Sequence, residues 1–311
     1  MPESIKNNRK TVALALSGCA ARAIAYIGML EVFEENGVPV DMIAACSSGA
    51  LVASAYASGT LSKLKEKAFT MTSKELFALF APSFKGGLFS LDKLDDIYGE
   101  FLSVENLEEL KIPTAIVASD IIEGKEVVFR IGNIMRAIKA SCSMPGVFEP
   151  VVWGGKVLVD GGLFSIVPVE AARGMNPDII IGIDMAESRH LESGALHIKA
   201  AYNYFKRPFA KLHLPASVRE FMFGKTDVID YATIDEIKTP SLMTVLGKAM
   251  DYAIEERKKG EFFNCDLMIT PEVHSYDKIS TTDFRQIYET GRVAAQAALP
   301  KIQKLLSDLN A

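Results

Sequence analysis

The chain has 311 residues, 49 % of them hydrophobic, enough to bury a sizeable core in one large domain or two small ones. A net charge of −5 points away from nucleic acid as a partner, and no apolar run reaches the roughly 20 residues of a membrane-spanning helix. The start, Met1 to Lys10, is polar, and Cys19, Cys46, Cys142 and Cys265 form no C-x-x-C pair. Neither a secretory leader nor a disulfide framework or zinc site is therefore expected, and the composition fits a cytoplasmic protein with reduced thiols.

Residues 11–16 are a short apolar run closed by Ser17-Gly18 and predict a buried strand. Residues 21–35 are amphipathic at helical period and stop at Gly37. A second strand is predicted at 40–45 and a small-residue helix at 48–58. Further strands are expected at 114–119, 126–130, 156–159, 178–184 and 266–270. Further helices are expected at 91–102, 132–141, 167–174, 241–262 and 282–306. Strands spaced by helices imply an α/β fold, with a mostly parallel central sheet covered on both faces in three α/β/α layers. Ligands bind beyond the carboxyl ends of such strands. Ser47 and the turn from Ser17 to Arg22 both fall there. No linker, repeat or low-complexity tract divides residues 1–311, which read as a single domain.

Three turns after apolar strands carry chemistry. The first in interest is Ala45-Cys46-Ser47-Ser48-Gly49, a small-x-Ser-x-Gly elbow with a serine at its apex and a helix beneath it. The positive end of that helix favours negative charge developing nearby. Ser47 is either a nucleophile, which needs a base in hydrogen-bond reach, or a serine capping the helix at 48. The second is Ser17-Gly18-Cys19-Ala20-Ala21-Arg22-Ala23. Small residues opening a helix leave backbone N–H groups for an anion or oxyanion, or simply let helix and strand pack closely. The run is not G-x-G-x-x-G and lacks the Lys-Ser/Thr of a P-loop. The third is Asp160-Gly161-Gly162 after the apolar strand at 156–159. It is a carboxylate on a sharp turn, a common turn chemistry in itself.

Taken in chain order, the three turns resemble the patatin-like phospholipase family, with its glycine-rich oxyanion turn and arginine, G-x-S-x-G elbow, and later D-G-G or D-G-A turn. The flanks match its bacterial members too, at Ala25 to Leu30 and at Arg136 to Pro150, which contains Ser141-Cys142-Ser143-Met144-Pro145-Gly146. The resemblance covers 11–185 and, more weakly, 264–292. It implies a lipid or acyl-ester substrate, no metal or cofactor, and a Ser-Asp dyad. In that dyad Ser47 attacks an ester carbonyl and Asp160 takes and returns its proton. Backbone N–H groups around Gly18, Cys19 and Ala20 hold the oxyanion, with Arg22 shaping that turn or adding positive charge. Gly49, Gly161 and Gly162 are the elbow and turn glycines. Burial is expected to raise the Asp160 pKa above its free value of about 3.9.

The chain departs from the family pattern where Cys19, Ala20 and Ala23 replace oxyanion-turn glycines, where Ala45 replaces the first elbow glycine, and at Ser165 and Ile166. A replaced glycine that needed φ > 0 would cost roughly 1–2 kcal/mol. Two alternatives stand beside the dyad. One is a Ser47-Asp160-His274 triad in α/β-hydrolase order; His190, His197 and His213 lie in polar or loop-like stretches. The other is a catalytically weak relative that binds lipid. Residues 199–225, basic and aromatic in an acidic chain, are expected either to rest on an anionic membrane surface or to cover the core. Residues 76–89 are expected to form a lid or acyl-chain wall hinged at Gly86-Gly87, or ordinary covering structure.

Overall fold

The computed structural model describes residues 9–83, 85–185, 264–276 and 281–307. The expectations for 199–225 and for a helix at 241–262 lie outside these residues, as do His190, His197 and His213. Among the described residues, the strands in chain order are β1 (Val12–Leu16), β2 (Met42–Cys46), β3 (Ala81–Pro82), β4 (Gly87–Ser90), β5 (Thr114–Asp120), β6 (Lys125–Phe129), β7 (Gly146–Phe148), β8 (Val151–Trp153), β9 (Lys156–Asp160), β10 (Ile179–Ile183) and β11 (Leu267–Ile269). The α-helices are α1 (Ile24–Glu35), α2 (Ser48–Ala57), α3 (Leu61–Thr70), α4 (Ser73–Ala78), α5 (Leu94–Tyr98), α6 (Ile134–Cys142), α7 (Val169–Arg173) and α8 (Phe284–Ser307).

The central sheet runs β11-β10-β1-β2-β5-β9-β8, with β6 also on β5. From β11 to β5 the neighbours are parallel, whereas β6, β9 and β8 pair antiparallel. All of β1, β5 and β10 is buried, as the continuous apolar runs of parallel strands require when helices cover both faces. Helices α1, α2, α3, α6 and α8 pack together on one face, and α7 lies against β1, β2, β5 and β10 on the other, giving three layers. Strand order moves from β1 through β2 to β5 one way and from β10 to β11 the other, so the switch point lies between the carboxyl ends of β1 and β10, at the turn that follows β1.

Strand β5 organises the site. Along one edge it carries β6 over 116–120. Its other edge is shared: β2 takes 114–117, with Cys46 opposite Val117, and β9 takes 118–120, with Asp160 opposite Ala118. The ends of β2 and β9 therefore meet head-on, one rung apart.

Residues 76–89 differ from the hinged-lid expectation. They build α4 and the β3–β4 hairpin, and β4 pairs with β7 in a small separate sheet. Gly86 makes the turn at φ +85, but Gly87 is a paired strand residue whose Cα abuts the Phe148 backbone and is fixed there. The Phe80 ring packs 6.5 Å from Phe89 and 5.1 Å from Phe148, and Phe80 also packs against the main hydrophobic core. The helix expected at 91–102 shortens to α5 and a 3-10 turn over Gly99–Phe101.

Candidate active site

Ser47 stands at the end of β2 with φ 49 and ψ −129, a conformation that costs an L-residue about 1–3 kcal/mol. The turn lifts its side chain off the sheet and lays α2 directly behind it. The small residues of α2 make this possible, because Gly49 passes so close to β1 that a Cβ would sit 2.5 Å from Ser17 O. The Ser47 side chain makes no cap bond to α2. Ser47 Oγ instead donates to Asp160 Oδ2 at 2.7 Å.

Asp160 ends β9 with only 9 % of its surface exposed. Its Oδ1 accepts from Gly162 N–H at 2.8 Å and has the Cys46 thiol at 3.9 Å. Burial raises its pKa to about 6, against the opposing pull of the Ser47, Gly162 and Cys46 hydrogen bonds. A carboxylate with that pKa is ionised at neutral pH yet far more basic than a free one, which suits a proton acceptor. Gly161 makes the turn beyond it against β5, where a Cβ would meet Val117 O at 2.5 Å.

The turn after β1 lies against the serine. A Cβ on Gly18 would collide with Ser47 Cβ and lie 3.1 Å from Oγ, so only glycine fits. Cys19 is extended at φ −162, a conformation open to any residue, and its N–H donates to Ser48 Oγ at 3.0 Å. Ala20 adopts φ 48 and is the one replaced glycine of this turn that takes a left-handed conformation; Ala23 is helical at φ −58. The N–H groups of Gly18 and Ala20 have no hydrogen-bond partner among the described residues.

Arg22 is buried, and its Nη1 donates to Cys19 Sγ at 3.7 Å within the same turn. Its guanidinium donates to Tyr276 O (3.1 Å from Nε, 2.9 Å from Nη2) and to His274 O (2.5 Å). It shapes the turn by tying it to the segment after β11. His274 itself meets Arg22 through its carbonyl, and its side chain is exposed. No imidazole bonds to Ser47 or Asp160 among the described residues.

Three residues to which the sequence assigns no role of their own support the pair. Ser141 Oγ accepts from Ser47 N–H at 2.7 Å, Ser143 O accepts from Asp160 N–H at 2.9 Å, and Ser48 Oγ holds Cys19 as above. The first two lie in the Ser141-Cys142-Ser143 flank, which carried a family likeness but no chemical signal of its own. Burial pushes the Cys142 thiol between them upward in pKa. A cavity of about 810 Å³ opens beside this segment, with Met135, Lys139 and Ser143 in its wall.

The patatin-like phospholipase family model matches residues 14–173, and the chain belongs to that family. An uncharacterized NTE family protein of Mycobacterium tuberculosis is 34 % identical over 175 residues, covering 56 % of this chain and 49 % of that protein. A second one from the same organism is 26 % identical over 298 residues, covering 93 % and 46 %. Patatin-like phospholipase domain-containing protein 6 of Mus musculus is 32 % identical over 187 residues, 56 % of this chain and 13 % of that one. The chain thus spans about half the length of the mycobacterial relatives. The crystal structure of VipD from Legionella pneumophila superposes with a TM-score of 0.49 at 13 % identity, covering 94 % of this chain and 67 % of that one. Among the described residues no helix is long and apolar enough to cross a membrane.

Proposed function

We propose that the protein is a serine acyl hydrolase acting on lipid esters through a Ser47-Asp160 dyad and an acyl-enzyme. The observation that carries the reading is the 2.7 Å bond from Ser47 Oγ to a buried carboxylate, made by a serine held at positive φ. Ser47 Oγ attacks the ester carbonyl carbon while its proton passes to Asp160 Oδ2. The carbonyl oxygen becomes an oxyanion, held by the N–H groups of Gly18 and Ala20 with the Cys19 N–H engaged by Ser48. Collapse breaks the ester C–O bond, Asp160 returns the proton to the departing alkoxide, and the acyl group stays on Ser47. Water then attacks this ester with Asp160 taking its proton, and the fatty acid leaves as Ser47 recovers its hydrogen.

Arg22, bonded to carbonyls of the 274–276 segment, acts in this scheme by shaping the turn. The exposed His274 side chain counts against a histidine triad, and membership in a lipid hydrolase family supports a lipid ester as the substrate class. Peripheral contact with an anionic membrane is part of the same proposal. Hydrolysis of p-nitrophenyl butyrate by wild type and Ser47→Ala tests it. Loss of essentially all turnover is expected; equal rates would end the dyad reading. Loss of turnover in His274→Ala with normal folding would restore the triad.

A further inference from the structure

We propose that Ser141 is the positioning residue for the nucleophile, its hydroxyl splicing the last rung between β2 and β5 and thereby fixing where Ser47 meets Asp160. The inference rests on the reading of that pair as nucleophile and base. In a parallel ladder, alternate residues of one strand donate to its neighbour. Ile43 N–H donates to Pro113 O at 3.0 Å, with Ile43 opposite Thr114. Two steps of that alternation, through Ala45 opposite Ile116, bring Ser47 N–H to Val117 O.

That rung is not made directly; the Ser141 hydroxyl stands between the two groups. Ser47 N–H donates to Ser141 Oγ at 2.7 Å, and the Ser141 hydroxyl donates to Val117 O at 2.6 Å. Ser141 is wholly buried, so this hydroxyl is what satisfies both backbone groups. With the ladder of β2 ended at Val117, the edge of β5 is open from Ala118, where Asp160 pairs. Two residues beyond Ser141, Ser143 O accepts the Asp160 N–H at 2.9 Å. One tripeptide at the end of α6 thus grips the backbone of both members of the pair, by a hydroxyl on one side and a carbonyl on the other.

Loss of the Ser141 hydroxyl would take this partner from the Ser47 N–H and from the buried Val117 carbonyl and remove a restraint on the strained turn. The relevant comparison is Ser141→Ala and Ser141→Thr against wild type in p-nitrophenyl butyrate hydrolysis. Each rate is divided by the number of Ser47 sites titrated to completion with a fluorophosphonate, so that only folded sites count. Ser141→Ala is expected to lose about 10- to 100-fold in kcat per site with KM little changed, as a small misplacement of a reacting group does. Ser141→Thr, which retains the hydroxyl, is expected to recover most of that loss. A purely structural role would lower Tm and the titratable fraction but leave kcat per site at the wild-type value, and that result overturns the proposal. If Ser141→Ala does not fold, Ser141→Cys, of similar shape but a weak donor, replaces it under the same criterion. Ser47→Ala in the same assay separates the two failures. Full activity there defeats the dyad reading, whereas an inactive Ser47→Ala beside a normal Ser141→Ala defeats the positioning role alone.

Discussion

Ser47 Oγ lies 2.7 Å from Asp160 Oδ2 because β2 and β9 end on consecutive residues, Val117 and Ala118, of a single edge of β5. The two side chains come from segments more than a hundred residues apart, yet neither loop flexibility nor a bound group is needed to bring them together. The sheet register does it. Substitutions that disturb this edge should therefore act on turnover before they act on the fold as a whole.

The pH dependence of activity and of stability should run in opposite directions. The Asp160 carboxyl titrates near about 6 in the folded protein and near about 3.9 in an unfolded chain. Turnover that needs the ionised base rises through about pH 6 and levels off above it. The fold favours the protonated carboxyl, so wild type gains stability relative to Asp160→Asn as pH falls from about 8 through 6 toward 4. The kcat/KM profile of wild type and parallel melting curves of both proteins measure this. An acid limb near the free-carboxyl value, or a Tm difference independent of pH, would contradict the buried-base picture.

Gly18→Ala should abolish most activity. The added Cβ has nowhere to go except into Ser47 Cβ, so the nucleophile or the oxyanion turn must shift. Displacing a donor of this kind has a typical effect of about 10²–10³ on kcat. Steady-state hydrolysis and the rate of fluorophosphonate labelling should fall together. Wild-type labelling would show that the turn does not touch the serine.

Ala20→Gly should stabilise the protein or leave it unchanged. The residue sits at φ 48, where alanine carries a left-handed penalty that glycine lacks, partly offset by the greater freedom of an unfolded glycine. The net gain is expected to be about 0.5 kcal/mol, readable as a raised urea midpoint with activity retained. A clear loss of stability would mean that the alanine methyl makes a packing contribution larger than the strain.

Arg22→Ala and Arg22→Lys should both be destabilising, by about 3 kcal/mol for the alanine, with activity lost in proportion to folded protein. The guanidinium ties the turn to two carbonyls of the 274–276 segment in a forked geometry that an ammonium cannot reproduce. Urea denaturation alongside kcat per titrated site distinguishes this from a charge effect on the oxyanion. Unchanged stability with a large fall in kcat per site would assign Arg22 to the chemistry instead.

The sequence makes legible those features that depend on local pattern. Apolar runs mark β1, β2, β5 and β10, since parallel strands buried on both faces need no alternation. Small-residue turns after β1, β2 and β9 mark Gly18, Ser47 and Asp160. What escapes is tertiary. Nothing local to β9 says that it shares an edge of β5 with β2, because register is a relation between strands. Arg22 reads as a charge near an oxyanion, and nothing local says that it also bonds two carbonyls more than 250 residues away. Ser141 and Ser48 are ordinary small polar residues in helices, and their work lies in bonds to a neighbouring turn. Gly86-Gly87 reads as a hinge because two glycines are locally flexible, whereas the backbone of Phe148 packed against Gly87 removes that freedom.

The most direct measurement is a peptide mass map of the full chain after reaction with a fluorophosphonate, with residual hydrolysis followed in the same samples. One adduct is expected, on the peptide carrying Ser47, rising in step with loss of hydrolysis, and no adduct in Ser47→Ala. Hydrolysis that survives complete labelling of Ser47, or inactivation with the adduct on another residue, would contradict the assignment of Ser47 as the nucleophile.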